Sequence, residues 1–279
     1  MVALLVVVAS ASLWWNRIYQ NPNRVFWDMM ANNLSTNGVT RTVIQKGQGV
    51  IVSQYTQISL GQHPTAHALT VFNTNSNDLA TEEISDKTHD FVRYQRITIP
   101  GKKLSTKAIL GKWAELQTGQ TQGLQVTSGL FDQSLLDVLP FANLSSSRRG
   151  ALLRTMHQQD VFTYDAGTVK KTTLNGRQVN LYAVNIKPSA YIRLMQQVEK
   201  LIGGTSYSSL KPSGAAKAKP IAVVISVDAR SHTLSQLYET GAQRTVSYSG
   251  FGVTDVTQLP KATISTTELT KRLGQVLQH

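Results

Sequence analysis

Between Val39 and about Leu116 the chain repeats one pattern. Short alternating runs rich in Val, Ile, Thr and Tyr are broken every few residues by turn chemistry. "TRTVIQKGQGVIVSQYTQISLG", "HALTVFNTN" and "FVRYQRITI" are such runs, and "KAILGKWAELQ" places Trp113 just after Gly111 in a further short strand. "NTNSND" and "IPGKK" supply turns. The connections are too short for helical crossovers, so the strands form an antiparallel meander. A sheet of that size must bury one face, and something outside the meander has to cover it.

Three helical groups, the middle one a pair, are available as cover. Asn21-Pro22-Asn23 opens the first, which runs from Pro22 to about Ser35 with Val25, Phe26, Met29, Met30 and Leu34 near one face. Asn37-Gly38 ends it. In the middle of the chain Leu130, Phe131, Leu135, Leu136, Val138 and Leu139 make an apolar helical stretch that stops near Pro140. The polar run Asn143–Ser147 then caps a helix carrying Leu152, Leu153 and Met156. "PSAYIRLMQQVEKLIGG" is the third, with Tyr191, Leu194, Met195, Val198, Leu201 and Ile202 on its apolar face and Gly203-Gly204 closing it.

Strands return around these helices. Asn175-Gly176 marks a tight hairpin in "TTLNGRQVNLYAV". "PIAVVISVDARSHTLSQLYETG" reads as a strand, a turn and its partner, and "AQRTVSYSGFGVTDV" as the last strand, with Gly250-Phe251-Gly252 as a bend beyond which Val253 and Val256 continue. Glu268 to Gln278 is a short terminal helix. Thr205 to Lys219 is polar and small and reads as a flexible loop. The order predicts an α+β fold: a curved antiparallel sheet, an open half-barrel with helices packed in its concave face, in a single domain from residue 21 to residue 279.

Composition narrows the function. The chain has no cysteine, which excludes disulfides, thiolate metal sites, cysteine nucleophiles and an acylated N-terminal cysteine. The formal net charge is +12 although only 16% of residues are charged, so a basic excess lies on a surface kept soluble largely by uncharged polar groups. Three basic groups stand out: Lys102, Lys103, Lys107 and Lys112; Arg148, Arg149 and Arg154; and Lys211, Lys217 and Lys219. None has the interleaved aromatics of a nucleic-acid platform, and no nucleic-acid partner is expected. Residues 1–20 open with "VALLVVVASASLWW", Val2 to Trp15, which is uncharged. It reads as the outer part of a signal anchor with Trp14, Trp15 and Tyr19 at the membrane–water boundary. A cleavage site at Ala9-Ser10-Ala11 and a buried Val-rich strand are the competing readings.

Local catalytic motifs are missing. His63 and His67 are four apart, but Pro64 removes the helix a metal pair needs. His89, His157 and His232 read as isolated surface residues, and Asp132 and Asp137 as water-facing positions of the apolar stretch. Glu82, Glu83, Asp86 and Asp90 in "TEEISDKTHD" read as a solvated hairpin segment, with a cation site or acid/base pair as the sharper alternative. Gly47-Gln48-Gly49 lacks the rest of a dinucleotide loop. Ser249-Gly250-Phe251-Gly252 is no nucleophile elbow, because Ser247 stands where the first glycine should be. No enzymatic activity, metal or cofactor is expected.

The "GKWAEL" strand (Gly111–Leu116), the hairpin "LNGRQVNLYAV" (Leu174–Val184), the strand pair "VVISVDARSHTLSQL" and the closing "YSGFGVTDVTQLP" occur in an order that resembles the LolA/LppX/LprG-like lipoprotein and lipid carriers. The resemblance spans about Pro22 to Ala262. It implies a half-barrel with an apolar pocket between sheet and helices, lined here by Phe26, Met30, Trp113, Leu130, Phe131, Leu135, Leu139, Leu194 and Met195. The implied function is noncatalytic: an extracytoplasmic protein that holds a lipid or lipoprotein acyl chain, anchored to the cell membrane by its N-terminal segment or secreted if that segment is cleaved. Relatives of the RseB type imply the alternative, an envelope sensor or protein-interaction module of the same fold with a filled core and an envelope protein as partner.

Overall fold

The computed structural model describes residues 19–74, 77–101, 105–116, 130, 137–203, 207–253 and 257–278. Among these residues twelve strands form one open antiparallel sheet. They are β1 Gly38–Lys46, β2 Val50–Ser59, β3 Thr65–Thr74, β4 Asp78–Ser85, β5 Asp90–Thr98, β6 Ala114–Leu116, β7 Phe162–Thr163, β8 Lys170–Leu174, β9 Arg177–Ile186, β10 Ile221–Asp228, β11 Leu234–Glu239 and β12 Arg244–Ser249. The spatial order is β6-β5-β4-β3-β2-β1-β12-β11-β10-β9-β7, with β8 also on β9. Two meanders are thus joined at a seam where the first strand meets the last, in the register Thr40↔Ser249 to Gln45↔Arg244. The sheet is curved and does not close into a barrel.

Four helices accompany it among the described residues: α1 Pro22–Asn33, α2 Ser146–Gln158, α3 Pro188–Ile202 and α4 Thr266–Gln278. Each starts or stops for a local reason. The Asn21 side chain accepts from the backbone N–H of Asn23 and Arg24, and Pro22 opens α1. α3 begins at Pro188 and ends at Gly203, whose φ of 86° is the left-handed cap a side chain would resist. The β8–β9 hairpin turns on Asn175 and Gly176, both with positive φ, as a two-residue primed turn requires.

Register assigns the faces. Because successive side chains alternate, Val39, Arg41 and Val43 share a face with Ile58, Thr56 and Gln54, with Ala66, Ala68 and Thr70, with Ser85 and Glu83, and with Asp90 and Val92. The same face continues through Tyr248, Val246, Leu237, Ile225 and Tyr182 on the other side of the seam. This is the concave, covered face. On the β9–β12 half the cover is α1, α2 and α3, whose Phe26, Met29, Met30, Leu152, Met156, Leu194, Met195 and Val198 join the main core. α4 covers the β5–β6 edge through a smaller cluster of Ile109, Ala114, Leu269 and Val276.

Two local expectations change. β12 stops at Ser249, and Gly250-Phe251-Gly252 is a turn, not a bulge within a longer strand. Its Gly252 N–H donates to the Gly38 carbonyl at 2.9 Å, and Phe251 packs toward Phe141. Val253 leaves the sheet and is 63% exposed, and Val256 lies outside the described residues. The apolar helical stretch does not extend to its expected end: Val138 and Leu139 sit in a bend. Phe131, Leu135 and Leu136 lie outside the described residues, as do Asp132 and residues 1–18. The described part of the 205–219 segment carries a short 3-10 turn at Pro212–Ala215, held to α3 by the Gln196 amide, which donates to the carbonyls of Tyr207 and Leu210.

Candidate functional site

The site is the concave face of β1–β5 and what lies over it. Its floor is made of small side chains. Ala66, Ala68, Thr56 and Ser85 are all wholly buried. Residues 137–144 cross above the seam. Ala142 N–H donates to the Asn33 carbonyl and Leu144 N–H to the Leu34 carbonyl, which ties this segment to the end of α1. The Asn143 amide donates to the Leu60 carbonyl at 3.3 Å, which ties it to the end of β2. Leu139 and Phe141 are fully buried beneath it. Leu130 is buried as well, and its N–H donates to Asp90 Oδ2 at 3.3 Å.

Asp137 is the polar centre of this cover, and here the expectation of a water-facing residue is overturned. Its side chain is 11% exposed and paired with Arg41 at 3.1 Å and Arg244 at 2.8 Å. Arg41 also donates to Gln54, which donates to Thr70, and Arg244 also pairs with Glu239. The Tyr191 hydroxyl donates to the Asp137 carbonyl at 2.6 Å. Burial pushes the Asp137 carboxyl up, but the two guanidiniums outweigh it and hold it below the ordinary carboxylate range. Water-facing was the wrong reading because the charges that stabilise Asp137 come from β1 and β12, far away in sequence.

The acidic hairpin is a second correction. Glu82 lies on the opposite face, buried between Arg93, Gln95 and His67. Glu83 points into the concavity, where its carboxyl meets that of Asp90. Burial first, then the Asp90 charge, pushes Glu83 up to about 8. Burial raises Asp90 as well. Two like carboxyls in one dry place cannot both ionise cheaply, so the pair shares a proton near neutrality. On the same face Thr56 Oγ1 and Ser85 Oγ have no hydrogen-bond partner among the described residues. Only Asp86, at the tip, behaves as the solvated hairpin residue expected, bound to the N–H groups of Thr88 and His89.

The anticipated lining residues divide into three sets. Phe26, Met30, Leu130, Leu139, Leu194 and Met195 come together in one buried cluster. Trp113 stands apart at the β5–β6 edge, with the Arg93 guanidinium 4.5 Å over its ring. Phe131 and Leu135 are outside the described residues. His232 is a further correction: it is 3% exposed, with Nδ1 2.9 Å from Asp28 and its ring stacked on Tyr19. His157 packs on Trp27, and His89 stays at the surface. Among the described residues no three metal-ligating side chains converge. The concave face combines apolar contact with a few hydrogen-bonding groups and the Glu83–Asp90 carboxyl pair.

No protein-family model matches the chain, and no curated protein matches it by sequence. By structure it is similar to LprF from Mycobacterium bovis, with a TM-score of 0.43 and 9% identity, over 86% of this chain and 96% of that one.

Proposed function

We propose that the protein is a noncatalytic, membrane-anchored extracytoplasmic carrier that holds a lipid or acyl chain between the concave face of its sheet and the apolar cover. The observation that carries this reading is the floor of β2–β4. Thr56, Ala66, Ala68 and Ser85 are too small to fill a concavity themselves, so the volume above them belongs to whatever lies on top. Leu130 and Leu139 belong to that cover, and Phe26, Met30, Leu194 and Met195 form the adjoining wall. Each buried methylene of a ligand contributes about 0.8 kcal/mol, so ten contribute about 8 kcal/mol before ordering costs. The orphan hydroxyls of Thr56 and Ser85, with the Glu83–Asp90 pair, would receive an ester or hydroxyl group. Residues 1–20 would provide the anchor.

A filled core favours a second reading, an envelope sensor or protein-interaction module. Phe26, Met30, Leu139, Leu194 and Met195 are all fully buried against one another. Native mass spectrometry with lipid extraction separates the two. Lipid copurifying in stoichiometric amount supports the carrier. An apo mass with no uptake of a fluorescent fatty acid overturns it and leaves the sensor. Ala68→Phe, which fills the floor, should abolish uptake in the carrier and change nothing in the sensor beyond stability.

A further inference from the structure

A second site lies on the other half of the molecule, where the β8–β9 hairpin and the β10–β11 turn enclose an open groove of about 910 Å³. Lys171, Arg177 and Arg230 line it and are exposed. The one carboxylate in the lining, Asp228, is occupied by its own turn: its Oδ1 accepts from the N–H of Arg230 at 2.9 Å and of Ser231 at 2.8 Å. Three cations therefore face one anion, which its own turn holds by hydrogen bonds and whose charge Arg177 also meets. The floor carries Asn180, which is wholly buried beside the Tyr182 side chain. The neighbouring Tyr182 hydroxyl is already given to the Pro22 carbonyl.

The rim of the groove is where the chain passes from its apolar N-terminal run into the folded domain. Gln20 lines the groove and donates to the Ala229 carbonyl, and the Tyr19 hydroxyl donates to the Arg230 carbonyl at 2.8 Å. Tyr19 is further fixed by the His232 ring. In the sequence, the uncharged stretch Val2–Trp15 ends shortly before Tyr19. A basic groove at the point where the chain enters the described domain, after an apolar run in the sequence, suits a bilayer: hydrocarbon for the run, phosphate for the cations.

We propose that this groove is a docking site for the phosphate of anionic lipid headgroups, and that it seats the domain on the membrane surface with the β8–β9 hairpin and the β10–β11 turn facing the bilayer. This extends the membrane side of the proposed function but rests on different residues from the concave face. The interaction is electrostatic and open-sided, so it weakens with salt.

The test is sedimentation of the full-length chain with phosphatidylcholine vesicles, with or without phosphatidylglycerol, at low and at physiological salt. The wild type should bind the anionic vesicles more tightly, with the excess shrinking in salt. The triple variant Lys171→Gln/Arg177→Gln/Arg230→Gln should lose that excess, by about a hundredfold at roughly fivefold per cation, and keep its binding to neutral vesicles. A control triple with equal charge loss, Arg148→Gln/Arg149→Gln/Arg154→Gln on α2, should keep most of the excess. An excess that survives the groove variant, or that falls equally in both triples, overturns the proposal. Saturable binding of inorganic phosphate alone, abolished by the groove variant, reassigns the groove to a free anion and also overturns the lipid source. The lipid copurifying in the concave face should be the same in wild type and groove variant, so the two proposals fail separately.

Discussion

Glu83→Gln probes the buried carboxyl pair directly. Glu83 is held at about 8 in the fold against 4.5 for a free side chain. A carboxyl whose folded pKa is raised lends its full stability below the unfolded value and loses it as pH climbs through the folded one. The wild type should therefore lose stability between about pH 4.5 and about pH 8. At 1.36 kcal/mol per pH unit the displacement corresponds to a ceiling of about 5 kcal/mol, and sharing one proton with Asp90 brings the expected loss to about 2–4 kcal/mol. Glutamine has nearly the same shape, can still donate to Asp90, and never ionises. The variant should match the wild type near pH 5 and exceed it by about 2–4 kcal/mol near pH 8.5. Urea unfolding followed by tryptophan fluorescence at several pH values measures this, with an unchanged m-value as the control for an unchanged transition. Parallel stability curves for the two proteins across that range, or a variant weaker than wild type at the alkaline end, would refute the burial argument.

Other perturbations test the frame of the site. Asp137→Asn should cost about 3–5 kcal/mol in urea unfolding, because it removes the carboxylate shared by the buried Arg41, whose side chain is 5% exposed, and by Arg244, which keeps only Glu239. Since Asp137 sits below the ordinary carboxylate range, its contribution should persist in mild acid and fade only as pH falls through that lowered value. Gly38→Ala should cost about 3 kcal/mol or more in urea unfolding, because the added Cβ would fall 2.1 Å from the Val253 backbone carbonyl oxygen and the chain there must shift. Met30→Ala should cost about 2–5 kcal/mol as a fully buried deletion, whereas Leu210→Ala at an exposed position should stay within about 0.5 kcal/mol.

The local grammar of this chain was legible because each signal acts over a few residues. Alternation marked the strands, Asn175-Gly176 the hairpin, and Pro188 and Gly203-Gly204 the limits of α3. The spacing of Leu194, Met195 and Val198 named the helix face that is buried. Those readings rest on backbone sterics and on the periods of helix and strand, which the residues carry with them. The α+β class and the helices in the concavity follow from the same rule that one face of the sheet must be covered.

The charged residues of the site are different in kind. Asp137 looked like the polar side of an apolar stretch, yet its partners lie 96 and 107 residues away. His232 looked isolated, and its partner Asp28 is 204 residues away. Glu83 and Asp90 sit close in sequence, but the sequence could not say that β3 and Leu130 would remove them from water. The Gly250–Gly252 turn was recognised as a corner, while its function, donating the Gly252 N–H to Gly38 across the β1–β12 seam, required the two ends of the chain to be brought together. Burial and charge pairing are properties of a place in space. Only the tertiary structure decides which side chains share that place, so it alone turned a scattered set of acids and arginines into a buried network.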